Sequence, residues 1–78
     1  MIKDVIVYMD TEFDARHGGP FDRGMADSWY NRMISPHYYK GDTEMSEKVE
    51  LADMTGTEVT EYILGYQYNE ESGGKKEW

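Results

Sequence analysis

The 78-residue chain contains no cysteine. This absence excludes a disulfide framework, a thiolate zinc site, an iron–sulfur cluster and a cysteine nucleophile. Secreted domains of this size usually depend on disulfides, so a cysteine-free chain favours a reducing compartment. We therefore expect a cytoplasmic protein.

Long apolar runs are also missing. The longest, residues 5–9 (Val-Ile-Val-Tyr-Met), is far short of the roughly 20 residues that span a bilayer. The first residues show neither a basic region nor a small-residue cleavage site of the secretory type. The sequence thus predicts no membrane partner and no export signal.

Hydrophobic residues make up only 38% of the chain, and the mean hydropathy is −0.83. With so few aliphatic side chains, the two Trp, seven Tyr and two Phe must supply much of the core. We predict one small domain over residues 1–72 and a tail over residues 73–78. A homodimer is consistent with so small a core, and Val5, Val7 and Tyr8 are the candidate seam.

Basic residues are scarce as well: eight Lys and Arg face sixteen Asp and Glu, which gives a net charge of −8. Such a balance argues against general affinity for nucleic acid or anionic membranes. The charge is uneven, since residues 1–40 carry a net −1 and residues 41–78 a net −7. The two halves are therefore expected to face different surroundings.

The hydrophobic pattern predicts an α+β fold with two packed helices and a short β-pair. Residues 3–9 and 48–52 have the branched or alternating pattern of strands, and we predict that they pair with each other. The Gly-Gly-Pro sequence before residue 21 predicts a loop over residues 11–20. A helix over 22–33 is expected to begin at Asp22, whose carboxylate would accept an N–H of the first turn.

The strongest local signal lies at residues 55–58 (Thr-Gly-Thr-Glu), which match the capping box of a helix N-terminus. The apolar stripe that follows predicts a helix over 56–69, ended by Gly73. We expect the two helices to pack through Trp29, Tyr30, Val59, Tyr62, Ile63 and Tyr66.

Acidic residues follow the first strand. Asp10 and Glu12 resemble the first motif of DEDD-type exonucleases, in which two carboxylates at a strand end hold catalytic metal ions. With Asp14 they form weak metal candidates, but the chain is too short for that nuclease core. The EF-hand pattern also fails, because Ala15 and Phe21 stand where the loop needs Gly and Glu. We expect no enzyme activity and no cofactor.

Two surfaces remain as candidate binding sites. Basic and aromatic side chains are interspersed over residues 16–40, a pattern typical of proteins that bind single-stranded nucleic acid. The candidates are Arg23, Trp29, Arg32, His37, Tyr38 and Lys40. The acids of the second half are either a solvated face or a surface that imitates DNA phosphates and docks on a basic protein. They are Asp42, Glu44, Glu47, Glu50, Asp53, Glu58 and Glu61.

Five short segments carry a family resemblance. They are residues 19–24 (Gly-Pro-Phe-Asp-Arg-Gly), 26–30 (Ala-Asp-Ser-Trp-Tyr), 36–38 (Pro-His-Tyr), 65–66 (Gly-Tyr) and 75–78 (Lys-Lys-Glu-Trp). Together they resemble a family of very short uncharacterised bacteriophage and prophage proteins.

The resemblance covers about residues 19–78 and implies no activity. It does imply a phage accessory protein that binds and modulates or inhibits a host protein, for example one that handles nucleic acid. It also suggests that Asp22 and Arg23 pair at the helix start and that His37 docks beside Tyr30.

Overall fold

The computed structural model describes residues 5–41 and 46–75. Two helices pack on each other, and two separate antiparallel strand pairs flank them. The predicted α+β class with two packed helices is thereby confirmed. None of the helices in these ranges is long and apolar enough to cross a membrane.

The first strand pair is a local hairpin. Strand β1 (Val5–Tyr8) pairs with β2 (Thr11–Asp14), and Val7 lies opposite Glu12. Met9 and Asp10 form the connection with φ of 54° and 60°, the left-handed geometry of two-residue hairpin turns. The predicted pairing of residues 3–9 with 48–52 is wrong, and the predicted loop over 11–20 begins with a strand. Residues 3 and 4 lie outside the described residues.

The second pair joins β3 (His37–Tyr39) to β4 (Lys48–Glu50). His37 lies opposite Glu50, and Tyr39 lies opposite Lys48. A 3₁₀ turn, Leu51–Asp53, follows directly, so the predicted strand over 48–52 ends two residues early. The segment around Pro36 and Tyr38 showed no sustained period, and β3 was therefore missed.

Helix α1 spans Pro20–Trp29, with Pro20 in the first turn after the N-cap Gly19. Proline suits this place because an N–H in the first turn would have no intrahelical acceptor, so nothing is lost by its absence. The helix thus begins before Asp22, and the Asp22 carboxylate accepts the N–H of Gly18 at 2.9 Å, outside the helix rather than in its first turn.

Helix α1 also ends four residues before the predicted boundary at Met33. Asn31 has φ of 60°; its N–H donates to the Ser28 carbonyl at 3.0 Å, and the Arg32 N–H donates to the Asp27 carbonyl at 2.8 Å. This is a Schellman ending, which reverses the chain and saturates the last carbonyls. The reversal carries residues 32–37 back along the helix.

Helix α2 spans Gly56–Ser72, three residues longer than predicted. The capping box is confirmed: the Glu58 N–H donates to the Thr55 hydroxyl at 3.2 Å, and the Thr55 N–H donates to the Glu58 carboxylate at 2.9 Å. The helix ends before Gly73, as expected. The local signal was sufficient because both partners lie within one turn.

The two helices meet backbone to backbone. A Cβ built on Gly24 would lie 2.0 Å from the Tyr62 carbonyl oxygen, and one built on Gly65 would lie 2.2 Å from the Phe21 carbonyl oxygen. Glycine is therefore required at both positions for this crossing. The fully buried aromatic side chains at the crossing are Phe21 and Tyr62.

The predicted core is only partly correct. Tyr62 is buried and Val59 and Tyr66 are half-buried, whereas Trp29, Tyr30 and Ile63 are exposed. The stripe of α1 that faces α2 consists of Phe21, Gly24 and Ser28, so the two aromatic residues at positions 29 and 30 point elsewhere. Phe21 was not among the predicted core residues.

The three residues of the candidate dimer seam lie on different faces of the hairpin. Val5 and Val7 are exposed on the outer face of the hairpin, but Tyr8 faces inward. The Tyr8 hydroxyl donates to Glu71 at 2.8 Å, and its ring meets the Tyr68 ring edge-on at 5.3 Å. Tyr8 therefore takes part in the packing of the hairpin on α2.

Candidate functional site

A buried carboxylate organises one end of the molecule. Asp27, in α1, is 3% exposed and accepts a hydrogen bond from the Tyr62 hydroxyl of α2. The same hydroxyl accepts the Ser35 N–H at 3.1 Å. Burial and the neighbouring Asp27 carboxylate raise the pKa of Tyr62 well above its usual value, so Tyr62 stays protonated and donates.

A guanidinium and an imidazole lie beside this carboxylate. The Arg32 guanidinium lies 3.4 Å from one Asp27 oxygen, and His37 Nδ1 lies 3.8 Å from the other. His37 Nδ1 is also 2.8 Å from the Ser35 carbonyl oxygen, which can only accept, so Nδ1 carries the proton. The His37 ring lies between Tyr39 and Tyr62, at centroid distances of 5.6 and 5.8 Å.

These groups line a cavity of about 270 Å³, which we call the Asp27 pocket; its polar and aromatic lining includes Arg23, Asp27, Arg32, His37, Tyr39 and Lys48. Three cationic side chains therefore face one carboxylate. Lys48 was not predicted, because its place opposite Tyr39 depends on the unforeseen pairing of β3 with β4.

The six predicted nucleic-acid-binding residues do not form one surface. Arg23, Arg32 and His37 meet at the Asp27 pocket, whereas Tyr38 and Lys40 line a neighbouring cavity with Glu47 and Glu58. Trp29 lies apart, against Gly74 near the end of α2. His37 contacts Tyr39 and Tyr62, which differs from the suggested docking beside Tyr30.

The ion pair suggested for Asp22 and Arg23 at the start of α1 is present in the structure. The Arg23 guanidinium lies 3.0 Å from the Asp22 carboxylate, and both side chains are mostly buried. Because the same carboxylate accepts the Gly18 N–H, the pair fixes the entry of the chain into α1. It also holds Arg23 in place at the Asp27 pocket.

The predicted acidic face is dispersed. Asp42 and Glu44 lie outside the described residues. Glu47 and Glu50 lie 3.4 and 3.8 Å from Lys40 and Lys48, respectively. Asp53 is exposed in the 3₁₀ turn.

Glu58 serves the capping box and hydrogen-bonds the Tyr38 hydroxyl, and both interactions lower its pKa. Of the seven predicted acids, therefore, two neighbour lysines and one is committed to a helix cap.

A different set of acids lies together between β2 and α2. A groove of about 560 Å³, which we call the acidic groove, is lined by Thr11, Glu12, Phe13, Thr57, Thr60 and Glu61. Burial raises the pKa of Glu61, and the negative charges of Asp14 and Glu58 raise it further. Within residues 5–41 and 46–75, Glu12, Asp14 and Glu61 form no salt bridge.

The three metal candidates are not gathered into a metal centre. Asp10 lies in the hairpin turn, Glu12 and Asp14 share one face of β2, and the Asp14 carboxylate accepts the Arg16 N–H at 3.0 Å. In the part of the chain that the structure describes, no three His, Asp or Glu side chains are placed to hold a metal ion.

A second polar network joins the C-terminal ends of α1 and α2. The buried Ser28 hydroxyl donates to Glu70 at 2.6 Å and accepts from Asn69 at 2.9 Å. Lys75 donates to the Ser28 carbonyl at 3.1 Å and pairs with Glu70. The start of the predicted tail thus contacts α1, while residues 76–78 lie outside the described residues.

Comparison with known proteins returned no family model, no curated protein and no solved structure that matches this chain.

Proposed function

We propose that this chain is a non-enzymatic binding protein that docks on a basic surface of another protein through the acidic groove. The observation that carries the proposal is the position of Glu61, a half-buried carboxylate beside Asp14 and Glu58. Placing like charges together and partly out of water disfavours the ionised form. A cationic side chain of a partner would relieve that cost on binding.

The groove also suits the shape of a basic side chain. Phe13 is half-buried in its lining, stacked on Phe21 at a centroid distance of 5.0 Å. Lysine and arginine bury their methylene stems on apolar surface while the charged end stays near carboxylates. An aromatic wall with Glu12 and Glu61 beside it is such a surface.

The family resemblance adds a biological setting to the proposal. A phage accessory protein of this kind would act in the host cytoplasm, where it would bind and inhibit or redirect a host protein. A nucleic-acid-handling partner fits best, because its DNA-binding surface is basic and the acidic groove would occupy it as a DNA mimic. The net charge of −8 would accelerate such an encounter.

A titration followed by NMR tests the groove directly. A Lys/Arg-rich peptide added to the ¹⁵N-labelled protein at low salt should shift amide signals at residues 11–14 and 56–61. The double variant E12Q/E61Q should bind the peptide at least about fivefold more weakly, because it removes two charges at the contact. E47Q/E50Q removes the same charge from acids that already neighbour lysines and should bind like wild type.

If both double variants weakened peptide binding equally, the affinity would depend on net charge alone. That result would contradict a defined groove.

Two other proposals have less support. Single-stranded RNA binding by the basic and aromatic residues is weakened by their separation, since only Arg23, Arg32 and His37 meet; a gel shift at micromolar protein tests it. A metal-dependent activity through Asp10, Glu12 and Asp14 predicts a measurable heat of binding when Mg²⁺ or Mn²⁺ is titrated into the protein in a calorimeter.

A further inference from the structure

We infer that the Asp27 pocket is a binding site for a single phosphate monoester group. Of the six Lys and Arg residues in the described ranges, three (Arg23, Arg32 and Lys48) line this one cavity. Each of the three has a carboxylate nearby: Asp22 lies 3.0 Å from Arg23, Asp27 lies 3.4 Å from Arg32 and Glu50 lies 3.8 Å from Lys48. The pocket therefore concentrates basic side chains, of which Arg32 and Lys48 are the more exposed, at 59% and 48%.

Most N–H groups of the Arg32 guanidinium have no acceptor among the described residues. Its side chain is 59% exposed, one guanidinium nitrogen lies 3.4 Å from Asp27, and the group lies 4.9 Å from the centre of the Tyr30 ring. Among the described residues its side chain makes no other hydrogen bond. An arginine fixed on one side and open on the other is arranged to bind phosphate oxygens with two parallel N–H groups.

Lys48 and His37 offer further groups from the strand pair. The Lys48 side chain is 48% exposed, and its nearest carboxylate, Glu50, is 3.8 Å away, beyond hydrogen-bond distance. The His37 side chain is only 14% exposed. Since its Nδ1 donates to the Ser35 carbonyl, Nε2 of the neutral ring is an acceptor and can take a hydrogen bond from a protonated phosphate oxygen; no described residue bonds it.

The buried Asp27 carboxylate fits this role as a support. It already accepts from Tyr62 and stands beside Arg32 and His37, so it holds these two side chains in fixed places before a ligand arrives. Groups that are ordered in advance bind with a smaller entropy cost. Asp22 supports Arg23 in the same way, at 3.0 Å.

The surroundings favour a monoester over a polynucleotide. A phosphate monoester concentrates close to two negative charges in one group, which a pocket of about 270 Å³ with three cations can match. A nucleic-acid strand would extend beyond the pocket over a strongly acidic molecule, where phosphates are repelled. The shared ligand chemistry is that of inorganic phosphate, a phosphorylated side chain or a phosphorylated metabolite.

NMR titration of the full chain in a phosphate-free, low-salt buffer tests the site. The probes are inorganic phosphate, N-acetylphosphoserine amide, N-acetylserine amide and a single-stranded oligonucleotide without terminal phosphate. We expect saturable shifts at residues 32–39 and 48 with the first two probes only, with dissociation constants on the order of 1 mM or lower. Phosphate binding with no phosphoserine binding would identify a site for the free anion and would overturn the assignment to a monoester.

Variants locate the binding to the pocket. R32Q and K48Q should each weaken phosphate binding by roughly tenfold, since each removes a charged donor. K40Q removes a lysine that directly follows β3 but lies outside the pocket, where it pairs with Glu47 at 3.4 Å, and should change binding less than about twofold.

The absence of saturable shifts at about 20 mM phosphate, far above the expected dissociation constant, would overturn the proposal. Tighter binding of the oligonucleotide than of phosphoserine would also overturn it, as would equal effects of K48Q and K40Q. Because these residues do not line the acidic groove, failure here leaves the proposed function standing, and failure of the peptide titration leaves this site standing.

Discussion

The Tyr62 hydroxyl donates a hydrogen bond to the Asp27 carboxylate in the interior, between α2 and α1. It also accepts the Ser35 N–H at 3.1 Å, so one phenol joins both helices and the returning segment before β3. The Asp27 pocket is built on this connection, because Asp27 in turn positions Arg32 and His37.

Replacing Tyr62 by phenylalanine should therefore lower the free energy of unfolding by more than the loss of an ordinary surface hydroxyl would. The change leaves the buried Asp27 carboxylate short of a donor and the Ser35 N–H without its acceptor, which should lower the free energy of unfolding by about 1–3 kcal/mol. Urea denaturation measures the difference. Tyr66→Phe is the control, since its hydroxyl bonds the Arg32 carbonyl at an exposed position; equal costs for the two changes would contradict the central role of Tyr62.

Alkaline pH should weaken the fold through the same residue. In the folded chain the pKa of Tyr62 is raised above the ordinary 10.0 by burial first and by Asp27 next. Its contribution to stability is therefore complete below the unfolded pKa and declines as pH rises from about 10 towards the folded pKa.

Denaturation midpoints recorded between about pH 8 and pH 11 should fall above pH 10. They should fall less steeply for Tyr62→Phe, which lacks the titrating group. Parallel curves for the two proteins would show that Tyr62 ionises normally.

The helix crossing predicts an unusual intolerance of alanine at Gly24. Alanine normally stabilises a helix relative to glycine, but here its Cβ would lie 2.0 Å from the Tyr62 carbonyl oxygen. Gly24→Ala should force the helices apart and lower the free energy of unfolding by about 1–3 kcal/mol or more. In Gly56→Ala the new Cβ meets nothing within 4 Å, so this control should leave stability unchanged or raise it slightly; the contrast is read by thermal denaturation.

Glu61 should reduce the stability of the free protein at neutral pH. Its folded pKa is raised above 4.5 by burial and by the charges of Asp14 and Glu58. Stability is therefore lost as pH rises from the unfolded pKa through the folded one. Glu61→Gln should be more stable than wild type at pH 7, and the difference should shrink below about pH 4, where the carboxyl is protonated in both states. A variant less stable than wild type at pH 7 would refute a strained carboxylate in the groove.

Local signals in the sequence determined the parts of the fold that could be predicted. Thr55 and Glu58 are three residues apart and cap each other, so α2 was found with its correct start. The hairpin was missed because its Met9-Asp10 turn lacks the Asn-Gly or Asp-Gly signal typical of such turns. Gly24 is locally unfavourable in a helix, although it is the residue that lets α2 approach.

The candidate sites depended on contacts that no local pattern contains. Lys48 joins Arg23, Arg32 and His37 only because β3 pairs with β4. Likewise, Asp14 reaches Glu61 only because the hairpin lies beside the start of α2. The sequence-based candidates therefore include most of the charged residues that line the two cavities, but they were grouped by chain position, whereas the fold groups them by strand pairing.

The central claim is that a defined acidic groove, rather than net charge, recruits a basic partner protein. Affinity capture from lysate with wild type, E12Q/E61Q and the equally charged E47Q/E50Q tests it most directly, at salt concentrations of about 50 and 300 mM that bracket strong and weak screening. The account predicts one partner held by wild type and E47Q/E50Q at low salt, released at high salt and lost from E12Q/E61Q. Retention of that partner by E12Q/E61Q, or capture unaffected by salt, would contradict it.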